Sequence, residues 1–112
     1  MKDRPTTYAI DFDGTIVTNK FPEIGTPIQP VVDFIKKIQA DGDQWILWTC
    51  REGEILKKAE AFCRSIGLFP DVVNDNLPAT IEFLNGENPR KPMVDVFIDD
   101  RNAKGLQIPV ES

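Results

Sequence analysis

Residues 8–18, YAIDFDGTIVT, join a short apolar run to two aspartates, Asp11 and Asp13, followed at once by Gly14 and Thr15. The run Thr7 to Asp11 reads as a strand, and DGT reads as a sharp turn at its carboxyl end. Residues two apart in extended chain face the same side, so the two carboxylates are set side by side. Like charges at the end of a buried strand repel, which calls for a compensating cation.

The rest of the chain continues the pattern that this strand begins. Val31, Phe34, Ile35 and Ile38 recur at helical spacing, with Pro30 suited to the first turn and Gly42 to the end. Gln44 to Thr49 (QWILWT) is an apolar run of strand length, as expected of a strand buried on both faces in a parallel sheet. Ile55, Leu56, Ala59, Phe62, Cys63 and Ile66 form a second helical stripe closed by Gly67. Asp71 to Asn74 reads as a third strand, and Leu77, Ile81 and Leu84 as a short helix ended by Gly86. Val94 to Ile98 is another strand, running directly into Asp99 and Asp100, and a last short strand is expected near Leu106 to Val110.

Strands alternating with helices imply a three-layer, Rossmann-like α/β domain with a mainly parallel sheet. At 112 residues the chain has material for one domain, 1–112, around one core. In such sheets the ligand crevice lies beyond the carboxyl ends of the strands. That edge is where Asp11, Asp13, Thr49, Asp99 and Asp100 collect.

Composition prunes the chemistry. There is no histidine, and serine occurs only at Ser65 and Ser112, which excludes zinc–histidine sites and Ser-His-Asp hydrolysis. Cys50 and Cys63 are too few for a disulfide scaffold and read as reduced, buried thiols. A cysteine-phosphatase loop would need arginine six positions after Cys50, where Leu56 stands. The net charge of −5 weighs against broad contact with phosphate backbones without excluding a short nucleic-acid end. The apolar runs are too short to cross a bilayer, and MKDRPTTY leads into no signal-like stretch, so a cytoplasmic location is expected.

Hard carboxylate oxygens arriving from two strands suit Mg²⁺, which is commonly held by one or two carboxylates together with a substrate phosphate. Gly14 and Thr15 could turn backbone amides toward an anion, Thr49 offers a hydroxyl, and Lys91 a point charge. Together these groups describe phosphoryl transfer.

DFDGT at a strand end, an apolar strand ending in Thr49, a lysine in a loop and a strand ending in DD resemble the four ordered motifs of the haloacid dehalogenase (HAD) superfamily of phosphatases. The resemblance spans Tyr8 to about Asn102. It implies that Asp11 is the nucleophile, and that Asp13 protonates the leaving oxygen and then activates water. It implies further that Asp11, the Asp13 backbone carbonyl and an acid of the Asp99/Asp100 pair hold Mg²⁺. The phosphate would fall to Thr49, Lys91 and the turn residues Phe12 and Gly14. Lys104 is the alternative to Lys91.

The 33 residues 16–48 and the 41 residues 50–90 are consumed by helices, a strand and connections, which leaves no room for the separate cap domain of many relatives. A capless phosphatase of a phosphorylated metabolite, such as a sugar phosphate, is therefore expected, with IVTNKFPEIGT (16–26) as a small flap. An open site also suits a polynucleotide end or a protein substrate, or a homo-oligomer whose neighbour acts as lid. The DDR ending at Arg101 resembles polynucleotide end-processing phosphatases, ranked lower because of the acidic balance. From another class, a receiver-like phosphoacceptor groups similar residues, but carries its acid pair on the first strand and its acceptor later. A non-catalytic relative keeping the fold for contacts is disfavoured by the intact Asp11 and Asp13. Arg51 reads either as reaching a substrate anion or as a surface salt bridge to Glu52 or Glu54, and Trp45 and Trp48 read as core or edge packing.

Overall fold

The computed structural model describes residues 5–83 and 94–99. Among these residues seven elements follow in chain order: β1 (Thr7–Ile10), α1 (Gln29–Ala40), β2 (Gln44–Leu47), α2 (Gly53–Ser65), β3 (Val72–Val73), α3 (Pro78–Phe83) and β4 (Val96–Ile98). The four strands pair in parallel in the order β3-β2-β1-β4. This is the α/β, Rossmann-like architecture that the alternation implies. β1 and β3 are shorter than their runs because Asp11, Asp71 and Asn74 leave the ladder, and β2 and β4 also lose Trp48 with Thr49 and Val94 with Asp95.

Sheet order decides where a ligand can sit. The chain steps outward from β1 through β2 to β3, then returns to the other side of β1 for β4, so direction reverses between β1 and β4. Ile10 is in register with Ile98, and the Asp11 amide donates to the Ile98 carbonyl at 3.0 Å. Asp11 and Asp99 thus leave neighbouring strands at one level, beside the reversal point where α/β sheets open a crevice.

Both long helices pack on one face of the sheet. Tyr8 meets Phe34 of α1 and Phe12 meets Phe62 of α2, both edge to face. Tyr8, Ile10 and Phe12 share that face by the strand's twofold alternation, which turns Asp11 the other way. Beneath the helices lie Val31, Val32, Ile35, Ile38, Ala59 and Cys63, with Trp45 at 0% exposure. The Trp45 indole N–H donates to Gln39 Oε1 at 2.9 Å, and the same oxygen accepts the Phe69 amide at 2.7 Å. Trp45 is therefore the core residue that its apolar run implies.

The edge opposite the crevice is closed by a repeated device. Asp43, Asp71 and Asp95 each precede a strand, and each carboxylate accepts an amide from the strand alongside. Asp43 takes Thr6 at 2.9 Å, Asp71 takes Trp45 at 2.8 Å and Asp95 takes Thr7 at 2.9 Å. Terminal amides of a parallel ladder would otherwise lack partners, and a carboxylate is a strong acceptor for them. Asp71 and Asp95 are consequently cap residues rather than members of the strands that their runs suggest. The expected strand at Leu106–Val110 and the helix end at Gly86 lie outside the described residues.

Candidate active site

At the carboxyl edge, a cleft of about 490 Å³ is lined by Asp11, Asp13, Thr49 and Asp99, with Phe21 and Trp48 on its walls. The chain leaves β1 through a tight turn. Gly14 has φ of 84°, a conformation costly for residues with a Cβ, and its amide donates to Val17 O at 2.8 Å. The Thr15 amide donates to Phe12 O at 3.2 Å. These two amides serve the turn itself, so the expectation that they face an anion is corrected. Phe12 sends its side chain into the core at 0% exposure, which leaves its backbone alone for any ligand contact.

Residues 16–28 form a narrow double-backed flap. Val17 bridges Pro27, the Thr18 amide donates to Thr26 O at 2.8 Å, the Thr26 amide donates to Thr18 Oγ1 at 2.9 Å, and the Ile28 amide donates to Ile16 O at 2.8 Å. Gly25 lets the arms close, since a Cβ there would run into the Thr18 carbonyl. At the tip are Asn19 and Phe21, both lining the cleft.

Arg51 organises the whole region. It is wholly buried, and Nε and Nη2 hold both Asp13 oxygens at 2.9 and 2.7 Å. Its remaining N–H groups donate to the carbonyls of Pro22 at 3.1 Å, Ile55 at 3.3 Å and Glu23 at 2.8 Å. A guanidinium has five donors, and all five are used. Its carbon also lies 5.0 Å from the Phe12 ring centroid and 5.3 Å from that of Phe21. Neither a surface pair with Glu52 or Glu54 nor a substrate contact describes it. Arg51 ties the flap, the Asp13 carboxylate and the first turn of α2 into one body.

Thr49 follows β2 and lines the cleft. Its amide donates to Asn74 Oδ1 at 2.7 Å, and its Oγ1 accepts the Arg51 amide at 3.1 Å. A hydroxyl so held keeps its own proton to donate into the cleft. Asn74, at the end of β3 with φ of 51°, is a positioning residue that the sequence reading did not single out. Asparagine tolerates this left-handed conformation better than most residues.

Trp48 is half-buried and lines the cleft, which moves it out of the core. Cys50 is exposed on the same wall, correcting its reading as a buried thiol, whereas Cys63 is buried and its thiol is pushed up to about 12 by desolvation, then by the nearby Glu60 charge. Lys91, Asp100, Arg101 and Lys104 lie outside the described residues.

Among the described residues no cluster of three acidic, histidine or cysteine side chains converges on a metal position. Asp11 and Asp99 on adjacent strand ends do supply two hard carboxylates to one cleft, a donor set that fits Mg²⁺ completed by waters and phosphate oxygens. The Asp13 carboxylate is paired with Arg51 through both oxygens, and Asp13 also has a backbone carbonyl to offer a cation.

No protein-family model and no curated protein sequence matches the chain. A solved structure of a conserved protein coded by a locus of Bacteroides thetaiotaomicron is 41% identical, with a TM-score of 0.81 over 94% of this chain and 84% of that one. No helix among the described residues is long and apolar enough to cross a membrane.

Proposed function

Because the chain belongs to the same family as that conserved Bacteroides thetaiotaomicron protein, a likeness that carries the fold and names no activity, we propose the function from the site itself. The protein is a magnesium-dependent phosphomonoester hydrolase of the HAD type, working through an aspartyl-phosphate. One observation carries this reading. Asp11 and Asp99 leave neighbouring strands at one level beside the sheet's reversal point, and Asp13 and Thr49 face the same cleft.

In the first half-reaction an Asp11 carboxylate oxygen attacks phosphorus. The bond to the leaving oxygen breaks, and that oxygen takes a proton from the Asp13 carboxyl. In the second, Asp13 takes a proton from water as the water oxygen attacks phosphorus, and Asp11 is released as carboxylate. Asp11, the Asp13 backbone carbonyl and Asp99 or Asp100 would hold Mg²⁺, which when bound would supply positive charge to offset the phosphoryl oxygens and the clustered acids.

Arg51 fixes where the Asp13 carboxyl points. Its fork occupies one lone pair on each oxygen, and a carboxylate has further lone pairs with which to carry the proton. The Thr49 hydroxyl donates to a phosphoryl oxygen, and Lys91, or Lys104 in its place, balances the charge. Asn19 and Phe21 of the flap line the cleft on one side.

The test is release of inorganic phosphate from a panel of phosphomonoesters, with Mg²⁺ and after chelation, using Asp11→Asn as the blank. Turnover that needs Mg²⁺ and vanishes in the variant is expected. Phosphate release that persists in purified Asp11→Asn removes Asp11 from the nucleophile role.

A further inference from the structure

Phe21 is a large apolar ring held half in water. It is 54% exposed, yet Asn19 Oδ1 accepts its amide at 3.3 Å, the carbonyls of the next two residues are bonded to Arg51, and the guanidinium lies against its ring. A ring exposed to water gains nothing from being held still unless something else covers it. Trp48 faces the same cleft from a different segment, the end of β2. Two aromatic side chains thus line the same cleft as the acids, one from the flap and one from the segment that follows β2.

Electrostatics narrows what could enter. Three carboxylates line the cleft, and Arg51, the one cation on its described lining, has spent all five donors on protein oxygens. Charge beyond the transferred phosphoryl group would find no cation on the described lining with a donor left to receive it. A flat, uncharged ring needs no such donor and gains from stacking.

We propose that the cleft takes nucleoside monophosphates, with the base seated against Phe21 and Trp48, in preference to bare sugar phosphates, nucleoside polyphosphates or nucleic-acid strands. This deepens the phosphatase reading and rests on it for the position of the phosphate. Adenosine monophosphate and ribose 5-phosphate differ only by the base, so their comparison isolates the stacking contribution.

The experiment titrates Asp11→Asn protein with Mg²⁺ and four probes: adenosine monophosphate, ribose 5-phosphate, adenosine diphosphate and a 3′-phosphorylated oligonucleotide. Tryptophan fluorescence gives the signal, since Trp45 is sealed in the core and Trp48 reports the cleft. Adenosine monophosphate is expected to quench the signal and to bind at least tenfold more tightly than ribose 5-phosphate. Both Phe21→Leu and Trp48→Leu, the latter followed calorimetrically, should reduce that advantage to about twofold. Equal affinity for ribose 5-phosphate, tighter binding of the diphosphate or oligonucleotide, or no binding of the monophosphate overturns the proposal. Phosphate release by the wild-type protein separates the two ideas. Turnover without preference for the base sinks this inference alone, whereas base-dependent binding without turnover of any ester sinks the hydrolase reading and leaves a nucleotide-binding cleft.

Discussion

Arg51 and Asp13, 38 residues apart in the chain, are joined through both carboxylate oxygens, with the arginine side chain at 0% exposure and the aspartate side chain at 16%. Removing one partner of a buried pair leaves the other without compensation, at about 3–5 kcal/mol. Arg51→Met is expected to lower stability by about that amount, measured by urea unfolding. Arg51→Lys keeps a charge but cannot serve acceptors in several directions. It should fold and lose roughly 10- to 100-fold in kcat with a smaller change in KM, because the misaligned group is the one proposed to donate the proton. An unchanged kcat in Arg51→Lys would show that the Asp13 alignment does not depend on the fork.

Asp11→Asn should abolish turnover and leave the melting temperature unchanged or raised. The amide has nearly the carboxylate's shape, and neutralising one of the clustered acids relieves repulsion. Thermal melts and phosphate release on one preparation check both halves.

Thr49→Val removes the acceptor of the Arg51 amide together with the hydroxyl facing the cleft. A hydrogen bond to a charged group contributes about 1.5–3 kcal/mol, so kcat/KM should fall by about 10- to 100-fold. Thr49→Ser should restore most of it. A serine variant as impaired as the valine variant would argue for shape rather than hydroxyl chemistry.

The opposite edge of the sheet provides a contrast. Asp71→Ala strips the Trp45 amide of its acceptor and should cost about 1–3 kcal/mol of stability. Since Asp71 caps the edge away from the cleft, kcat at a temperature well below the melt should match wild type. A matching loss of kcat would mean that the two edges are coupled.

The fold and the gathering of acids at one edge were legible in the sequence where one segment carries both. The strand-plus-DFDGT segment marks β1 and its acids, and the apolar run ending in Asp99 marks β4, because the twofold alternation of a strand settles which neighbours share a face. Arg51 was illegible for the converse reason. Its partners lie 4, 28, 29 and 38 residues away, and only the folded chain brings them to one guanidinium. Trp48 was hidden because a wholly apolar run shows no alternation from which to learn that its last ring leaves the core. The Gly14 amide was misjudged because a local partner, Val17 O, claims it. Asp43, Asp71 and Asp95 each precede a short apolar run, a recurrence that could have been read as capping had the edge amides been counted.

Cys63 offers a pH test. Its folded value of about 12 lies above the ordinary 9.0, so its contribution is complete below pH 9. As pH rises further the unfolded chain ionises while the folded thiol stays protonated, and stability falls by up to about 1.4 kcal/mol per pH unit until the folded value is reached. The difference in unfolding free energy between wild type and Cys63→Ala should shrink over that range. In native protein at pH 8, a thiol reagent should label Cys50 and spare Cys63, with both reacting in denaturant.

Arg51 grips the flap by the carbonyls of Pro22 and Glu23, atoms that every amino acid possesses. That part of the anchor is blind to side-chain identity, whereas the guanidinium also rests against the Phe21 ring, and Gly25 admits no Cβ. Exchange of residues 19 and 20 would leave those backbone moorings and the Arg51–Asp13 pair in place. On the proposed function, what the flap tip presents to a substrate can thus change separately from the aim of the Asp13 carboxyl.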